Sequence, residues 1–303
     1  DAPLSVPNEI AIYILSRELK KDITVVLSGE GADEIFSGYG RIMASHHDYA
    51  RLPLVNSLPK GLRKLLFPGF VKKYAGKSFS SFKEFFLHNY TYFPLEEKMA
   101  LFTEKAKSEI GNDKAAQSVF EKEFDSLDGL PPGRRIPFVF EKLHLPGLLS
   151  RLDTPTMAVA VEGRTPFVDY ELVEFALNTP ARHKIKWRGP IARARAFFMT
   201  SDEFSEELDI TKSVLREAFE NDVPREIAER KKVGFPVPLD EWFDRDFLET
   251  AKKELLKKGA KVHQFFDKKS LEKWLDEGRG KRGFGQKAWM LLGIEYWLRE
   301  YFP

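Results

Sequence analysis

The sequence predicts an α/β protein: a partial parallel-sheet core near the N-terminus followed by a mainly α-helical region. Two observations predict it. One β-branched apolar run, DITVVLSG at residues 22–29, lies between two helical patterns and ends in a Gly-rich turn. That order belongs to a parallel sheet, whose ligands bind at the carboxyl ends of its strands. From about Tyr39 onward, nearly every long segment has helical periodicity instead.

Each element follows from local pattern. Residues 8–20, NEIAIYILSRELK, place Ile10, Ile14 and Leu15 on one helical stripe, with Asn8 as N-cap behind Pro7. The run that follows shows no polar alternation and therefore reads as a strand buried on both faces, ending at Ser28-Gly29. A helix begins near Asp33. One strand does not make a stable sheet, so its partners come from elsewhere in sequence or the segment leans on something else. The helical region is broken at Pro53, Pro59, Pro68, Pro94, Pro131-Pro132, Pro146, Pro180 and Pro224, with no internal repeat. Near the C-terminus, GQKAWMLLGIEYWLREYF spaces Trp289, Leu292, Tyr296 and Trp297 as a core helix does, rather than as an aromatic ligand cage. The lysine-rich stretch 251–261, AKKELLKKGAK, has the pattern of a solvated amphipathic helix, and the GRGKRGFG loop at 278–285 reads in the same bland way.

Composition excludes several classes. With 303 residues, 43% of them hydrophobic, the chain can bury one large core or two smaller ones. Lys and Arg number 48 against 46 Asp and Glu, so no overall field favours a nucleic acid or an anionic membrane, and an anion must be bound locally. There is no cysteine, which removes disulfides and thiolate metal sites and suits a reducing cytoplasm or a hot one. Charged residues at 31%, rich in Lys and Glu, are compatible with a thermophilic source. No apolar run approaches the ~20 residues of a membrane span and no signal-type N-terminus is present, so the expectation is a soluble, cytoplasmic protein.

Chemistry concentrates in LSGEGADEIFSGYGR, residues 27–41. Ser28, Gly29 and Gly31 let the backbone turn tightly after the strand, with N–H groups directed at a ligand from the start of the next helix. The turn is compatible with a nucleotide but is not a dinucleotide fingerprint, because Glu34 replaces the third glycine. Glu30, Asp33 and Glu34 would repel phosphate unless Mg²⁺ sat between carboxylate and phosphate. By themselves the residues equally allow an ordinary turn whose acids favour a helix N-terminus.

The same string closely resembles the asparagine synthetase motif LSG(D/E)G(A/S)DE-F-GGY-R, and residues 1–26 resemble that family's approach to it. LLSRLDTPTMAVAVEGRTPFVDYELVEFA, from 148, resembles the family's LL-R-DR-SMA-S-E-R-PF-D--LVEFA. TKSVLREAFENDVPREIAERKKVGFPVPLDEW, 211–242, resembles K--LR-AF---LP--I--RKK-GF-VPL--W. The resemblance spans residues 1 to about 300, with 50–130 unremarkable. It implies that residues 1–50 are the back part of an ATP-pyrophosphatase-type, adenine nucleotide alpha hydrolase-like domain, and that 51–303 are the helical remainder of a synthetase domain.

It also implies roles. Ser28 and Gly29 match the turn that holds the adenosine part of ATP, and Asp33 matches a ligand of the Mg²⁺ on its phosphates. Glu30 matches the acid of the second half-reaction, where ammonia attacks an acyl-adenylate and loses a proton, a general-base task. Lys212 matches a fixed positive charge beside the reacting phosphate. Glu162 lies at the acidic position near the reacting carboxylate, and Asp153 at a position suited to the substrate's α-ammonium group. Arg164 and Asp169 are expected to form a structural ion pair. Three positions depart from the pattern: Thr154 for the usual Arg, Val168 for Leu and Ser37 for Gly.

The implied activity is amidation of aspartate to asparagine, with aspartate, ATP and ammonia as substrates. Two parts of the family's pattern are absent from this sequence, the SGGxDS pyrophosphate loop and the cysteine that takes the amide from glutamine. The chain therefore reads as a fragment or one chain of a split enzyme, inactive when isolated, its partner a missing N-terminal half with the glutaminase domain; a homo-oligomer is compatible with this. Alternatives are a carboxylate-activating cyclase of β-lactam synthetase or lasso-peptide type, or a non-catalytic interaction subunit. Glu30 favours asparagine synthesis, since the resemblance puts Tyr there in β-lactam synthetases.

Overall fold

A computed structural model describes residues 3, 6–228, 230, 234–235 and 237–303. The apolar run becomes strand β1 (Val25–Leu27), which pairs in parallel with β2 (Glu162–Arg164) in the register Val25↔Glu162, Val26↔Gly163, Leu27↔Arg164. The ladder extends one bond at each end: the Glu162 amide donates to the Thr24 carbonyl (2.8 Å) and the Ser28 amide to the Arg164 carbonyl (2.7 Å). The second strand thus comes from the second motif block, whose EGR gives no strand signal of its own.

The expectation of a strand buried on both faces is not met. Val25 is 38% and Leu27 70% exposed. Strand side chains alternate between faces, and only one face of this two-stranded sheet is covered, by the helix Leu145–Met157. Gly163 makes that packing close: a Cβ there would meet Leu152 Cγ at 3.1 Å. A second small sheet pairs β3 (Lys186–Trp187) antiparallel with β4 (Asp209–Ile210).

The prolines mark helix starts more often than helix ends. Pro68 and Pro132 open helices and Pro146 sits in the first turn of another, while Pro59, Pro94, Pro131 and Pro180 immediately precede them; Pro53 lies inside the helix Ser45–Ser57. A first-turn amide lacks an intrahelical partner in any case, so proline loses nothing there.

The chain divides into two units, each with its own core. One comprises Asp22–Tyr90 and Phe120–Val233 and carries both sheets. Its core is aromatic: Phe70, Phe85, Phe86 and Phe124 are almost fully buried, with the Phe86 and Phe124 rings 5.0 Å apart. The other comprises Asp1–Lys21, Thr91–Val119 and Gly234–Pro303. Its helices Phe247–Leu256, Lys268–Gly278 and Phe284–Tyr301 bury Leu255, Leu271, Leu275 and Leu291.

In that second unit the aromatic C-terminal segment is a core helix: Leu292 is buried, Trp289 and Trp297 pack against the core, and Tyr296 faces outward beneath Arg299. The lysine-rich segment buries Ala251 and Leu255 and turns its lysines outward. Helix α1 (Asn8–Leu19) forms, but its N-cap is Pro7, and the Asn8 side chain donates to the Phe235 carbonyl instead. Ile10, Ile14 and Leu15 remain exposed. Among the described residues, no helix is long and apolar enough to cross a membrane.

Candidate functional site

The turn at the carboxyl end of β1 is built by its small residues. Ser28 Oγ accepts the Glu30 amide at 3.3 Å, and Gly31 takes a left-handed φ of 93° to start α2 (Ala32–Ile35). A Cβ on Gly31 would lie 2.5 Å from Val168 Cγ2, so this turn packs directly on the segment after β2. After α2 the backbone folds back, the Gly38 amide donating to the Asp33 carbonyl at 2.7 Å. Ser37 adopts φ 60° there, a conformation that favours glycine and accounts for the family's usual residue at this departure.

Two long-range ion pairs converge on the turn. Lys212 Nζ lies 2.9 Å from Asp33 Oδ1, and Arg151 Nη2 donates to Glu30 Oε1 at 2.8 Å. All four side chains are roughly three-quarters or more buried, so neither pair is a loose surface contact. Lys212 itself has φ 54° and ψ 34° at the N-cap of the helix Ser213–Ala218, a left-handed conformation costly for a residue with a Cβ. Its neighbours hold it there. Thr211 and Ser213 are buried, Arg216 Nε donates to the Thr211 carbonyl at 3.0 Å, and Ser213 Oγ donates to the His183 carbonyl at 2.6 Å.

Glu34 turns the other way. It is buried, burial holds its carboxyl above the usual range, and the Tyr39 hydroxyl donates to it. Of the three acids of the motif, then, Glu30 and Asp33 face arginine and lysine, whereas Glu34 is a packing and hydrogen-bonding residue of the interior.

Glu162 and Asp153 are positioned by the elements beside this turn. Glu162 opens β2, is exposed, and pairs with Arg164 Nε at 2.8 Å, which lowers its carboxyl pKa. The expected Arg164–Asp169 pair does not form. Residues two apart on a strand share a face, so Arg164 reaches Glu162, while Asp169 Oδ1 accepts the Glu171 amide at 3.0 Å and caps the helix Tyr170–Asn178. Asp153 is exposed on the helix Leu145–Met157. It lies two positions from Arg151, hence about 200° around the axis. Among the described residues no hydrogen bond or ion pair joins Asp153 or Glu162 to Glu30, Asp33 or Lys212. Gly29 is open, with no atom within 4 Å of a would-be Cβ.

Arg151 went unsuggested by residue type, although it occupies the R of the LL-R-D string; only the fold brings it to Glu30. Residues 229, 231–233 and 236 of the third block, and 1–2 and 4–5 of the first, lie outside the described residues. Among the described residues no group of three or more His, Asp or Glu could hold a metal by itself. Asp33, one carboxylate in the first turn of α2, nevertheless fits Mg²⁺ shared with phosphates, since that ion takes one or two carboxylates and fills its other places with phosphate oxygens and water.

Comparison with known proteins gives a consistent answer. The family profile described as asparagine synthase matches residues 1–299. The protein named asparagine synthetase [glutamine-hydrolyzing] 1 of Bacillus subtilis (strain 168) is 27% identical over 308 aligned residues, covering 98% of this chain and 44% of its own length. A putative asparagine synthetase [glutamine-hydrolyzing] of Mycobacterium tuberculosis (strain ATCC 25618 / H37Rv) is 28% identical, with 98% and 42% covered. The chain thus spans less than half the length of these relatives.

Proposed function

The chain belongs to the asparagine synthase family, and on that premise we propose that it forms one side of a site for ATP-dependent amidation of aspartate to asparagine through a β-aspartyl-adenylate. The observation that supports this reading best is the Lys212–Asp33 pair at the end of β1. It brings a cation from the third motif block onto the acid of the first, in a backbone conformation maintained against its intrinsic preference.

In this reading residues 1–50 supply the back part of the nucleotide domain and 51–303 the helical remainder. The Ser28-Gly29 turn takes the adenosine portion of ATP. Asp33 would hold Mg²⁺ on the phosphates, leaving its present partner Lys212 to face a phosphate oxygen. Bound Mg²⁺ supplies charge neutralisation on the phosphates. The aspartate side-chain carboxylate attacks the α-phosphorus and pyrophosphate leaves; Lys212 offsets the negative charge that develops. Ammonia then attacks the acyl carbon, AMP leaves, and Glu30 accepts the proton that ammonia loses. Arg151 orients Glu30 for that step. Asp153 takes the α-ammonium group of aspartate, and Glu162 stands near its reacting carboxylate. A cytoplasmic setting suits these substrates.

The two half-reactions separate the roles. In a preparation complemented with a polypeptide bearing the SGGxDS loop, Asp33→Asn is expected to reduce aspartate-dependent pyrophosphate release by about 100-fold or more, whereas Glu30→Gln leaves it nearly intact and lowers asparagine formation by a similar factor. Equal losses in both half-reactions for Glu30→Gln would refute its assignment to ammonia transfer.

A further inference from the structure

Lys212 is flanked by Thr211 and Ser213, and both of these line a cavity of about 1340 Å³ that the proposed reaction does not use. Asp209 and Ser205 line it too. Asp209 is fully buried, and its Oδ1 accepts the Glu206 amide at 2.6 Å. Its Oδ2 has no hydrogen-bond partner, and neither has Ser205 Oγ, an atom equally shut off from solvent. An ionised carboxylate is an acceptor at both oxygens, and a buried acceptor left unmatched costs the desolvation of that group. These two atoms call for a donor.

Opposite charge lies close by. Arg188 follows β3, its amide donating to the Leu208 carbonyl at 3.0 Å, and it lines the same cavity. Its Nη2 donates to the Glu206 carbonyl at 3.4 Å, and its charge acts on Asp209 without an ion pair forming between them. Asp209 thus holds the N–H, and Arg188 the C=O, of one residue. The carboxylate and the guanidinium are therefore separated by about the length of one N–Cα–C=O unit, each with hydrogen-bonding capacity left over. Other acids on the wall already have cations: Asp202 lies 2.9 Å from Lys73, Glu217 pairs with Lys186, and Glu207 lies 3.9 Å from Arg195.

We propose that this cavity binds a small α-amino acid as its zwitterion, the ammonium group donating to Asp209 Oδ2 and Ser205 Oγ and the carboxylate accepting from Arg188. A free α-amino acid carries the same N–Cα–C=O unit that these two side chains already grip in Glu206. Its ammonium group has donors enough for both orphaned acceptors, and guanidinium pairs with carboxylate through parallel N–H···O bonds. An amine without a carboxylate leaves Arg188 unmatched, and a carboxylate without an amine meets Asp209 with like charge. Among the described residues no group of three His, Asp or Glu could ligate a metal ion in its place. The site is separate from the one proposed for the substrate aspartate, whose ammonium group is assigned to Asp153, and does not depend on that reading.

The test is calorimetric titration of the 303-residue chain near pH 7.5, where Asp209, its pKa pushed up to about 6 by burial, is ionised. The probe is L-2-aminobutyrate; n-propylamine and n-butyrate are the same skeleton with the carboxylate or the amine removed. Saturable binding of aminobutyrate is expected, with each single-charge analogue weaker by at least about tenfold. Asp209→Asn and Arg188→Gln should each weaken it by about tenfold or more, while Glu30→Gln, on the turn after β1, leaves it unchanged. Arg188 is exposed, so its variant keeps the test valid should Asp209→Asn alter β4. Binding of propylamine as tight as that of aminobutyrate, or no effect of Arg188→Gln, overturns the proposal. So does the absence of saturable binding, which would leave water as the occupant. Loss of binding with Glu30→Gln overturns it as well, by placing the probe at the proposed reaction site instead.

Discussion

Asp209 shows what burial does to a single carboxylate. It is fully buried in β4, its Oδ1 accepts the Glu206 amide at 2.6 Å, and burial pushes its pKa up to about 6. The folded chain therefore holds this proton more tightly than the unfolded chain does. Its contribution is fully present below the unfolded value of about 4, declines as pH rises, and is lost above about 6. Asn at this position keeps an acceptor and has no proton to lose. Asp209→Asn should therefore gain stability relative to wild type by about 2 kcal/mol between pH 4 and pH 8, measured by urea denaturation at both. A pH-independent difference would show that the carboxyl is not perturbed. At this scale the sequence made the small residues of the turn and the acids of the motif legible, because turns and charges are local. It could not separate buried Glu34 from Glu30 and Asp33, because that depends on which residues of other segments surround each acid.

The elements were legible in kind and less so in surroundings. Helix α1, the strand after it and the aromatic C-terminal helix follow from periodicity, but the exposure of Leu27 does not, since an apolar run reports what could be buried and not what covers it. The three-residue β2 was hidden for a related reason: Glu-Gly-Arg has low strand propensity and is extended only because it pairs with β1. Gly31 lies where these elements meet. Gly31→Ala should destabilise the fold by at least about 1–2 kcal/mol from its positive φ alone. The 2.5 Å approach of the new methyl to Val168 adds to that. Adding Val168→Ala should recover part of the loss while leaving the backbone cost in place, as read from denaturation midpoints. No recovery would mean that the turn and the segment after β2 are not in contact.

For the whole molecule, motif order identified the family, while the discontinuous units had no signature. Residues 91–119 and 234–303 share a core through contacts such as the Phe102–Phe266 bridge, with Thr103 donating to the Phe265 carbonyl and Asp267 to that of Leu101 at 2.8 Å each. Such pairings between distant segments depend on complementary shape and leave no local pattern. We propose that the turn after β1, with Lys212 and Arg151, forms one side of a carboxylate-activating site whose other phosphate contacts come from an SGGxDS loop. Several charge-assisted contacts at roughly 1.5–3 kcal/mol each would be missing from the chain alone, weakening ATP binding by powers of ten. The most direct measurement is aspartate-dependent pyrophosphate release by the 303-residue chain, with and without a polypeptide carrying that loop. No release is expected from the chain alone, and release on mixing; robust release by the isolated chain, or none from the mixture, would contradict the proposed half-site.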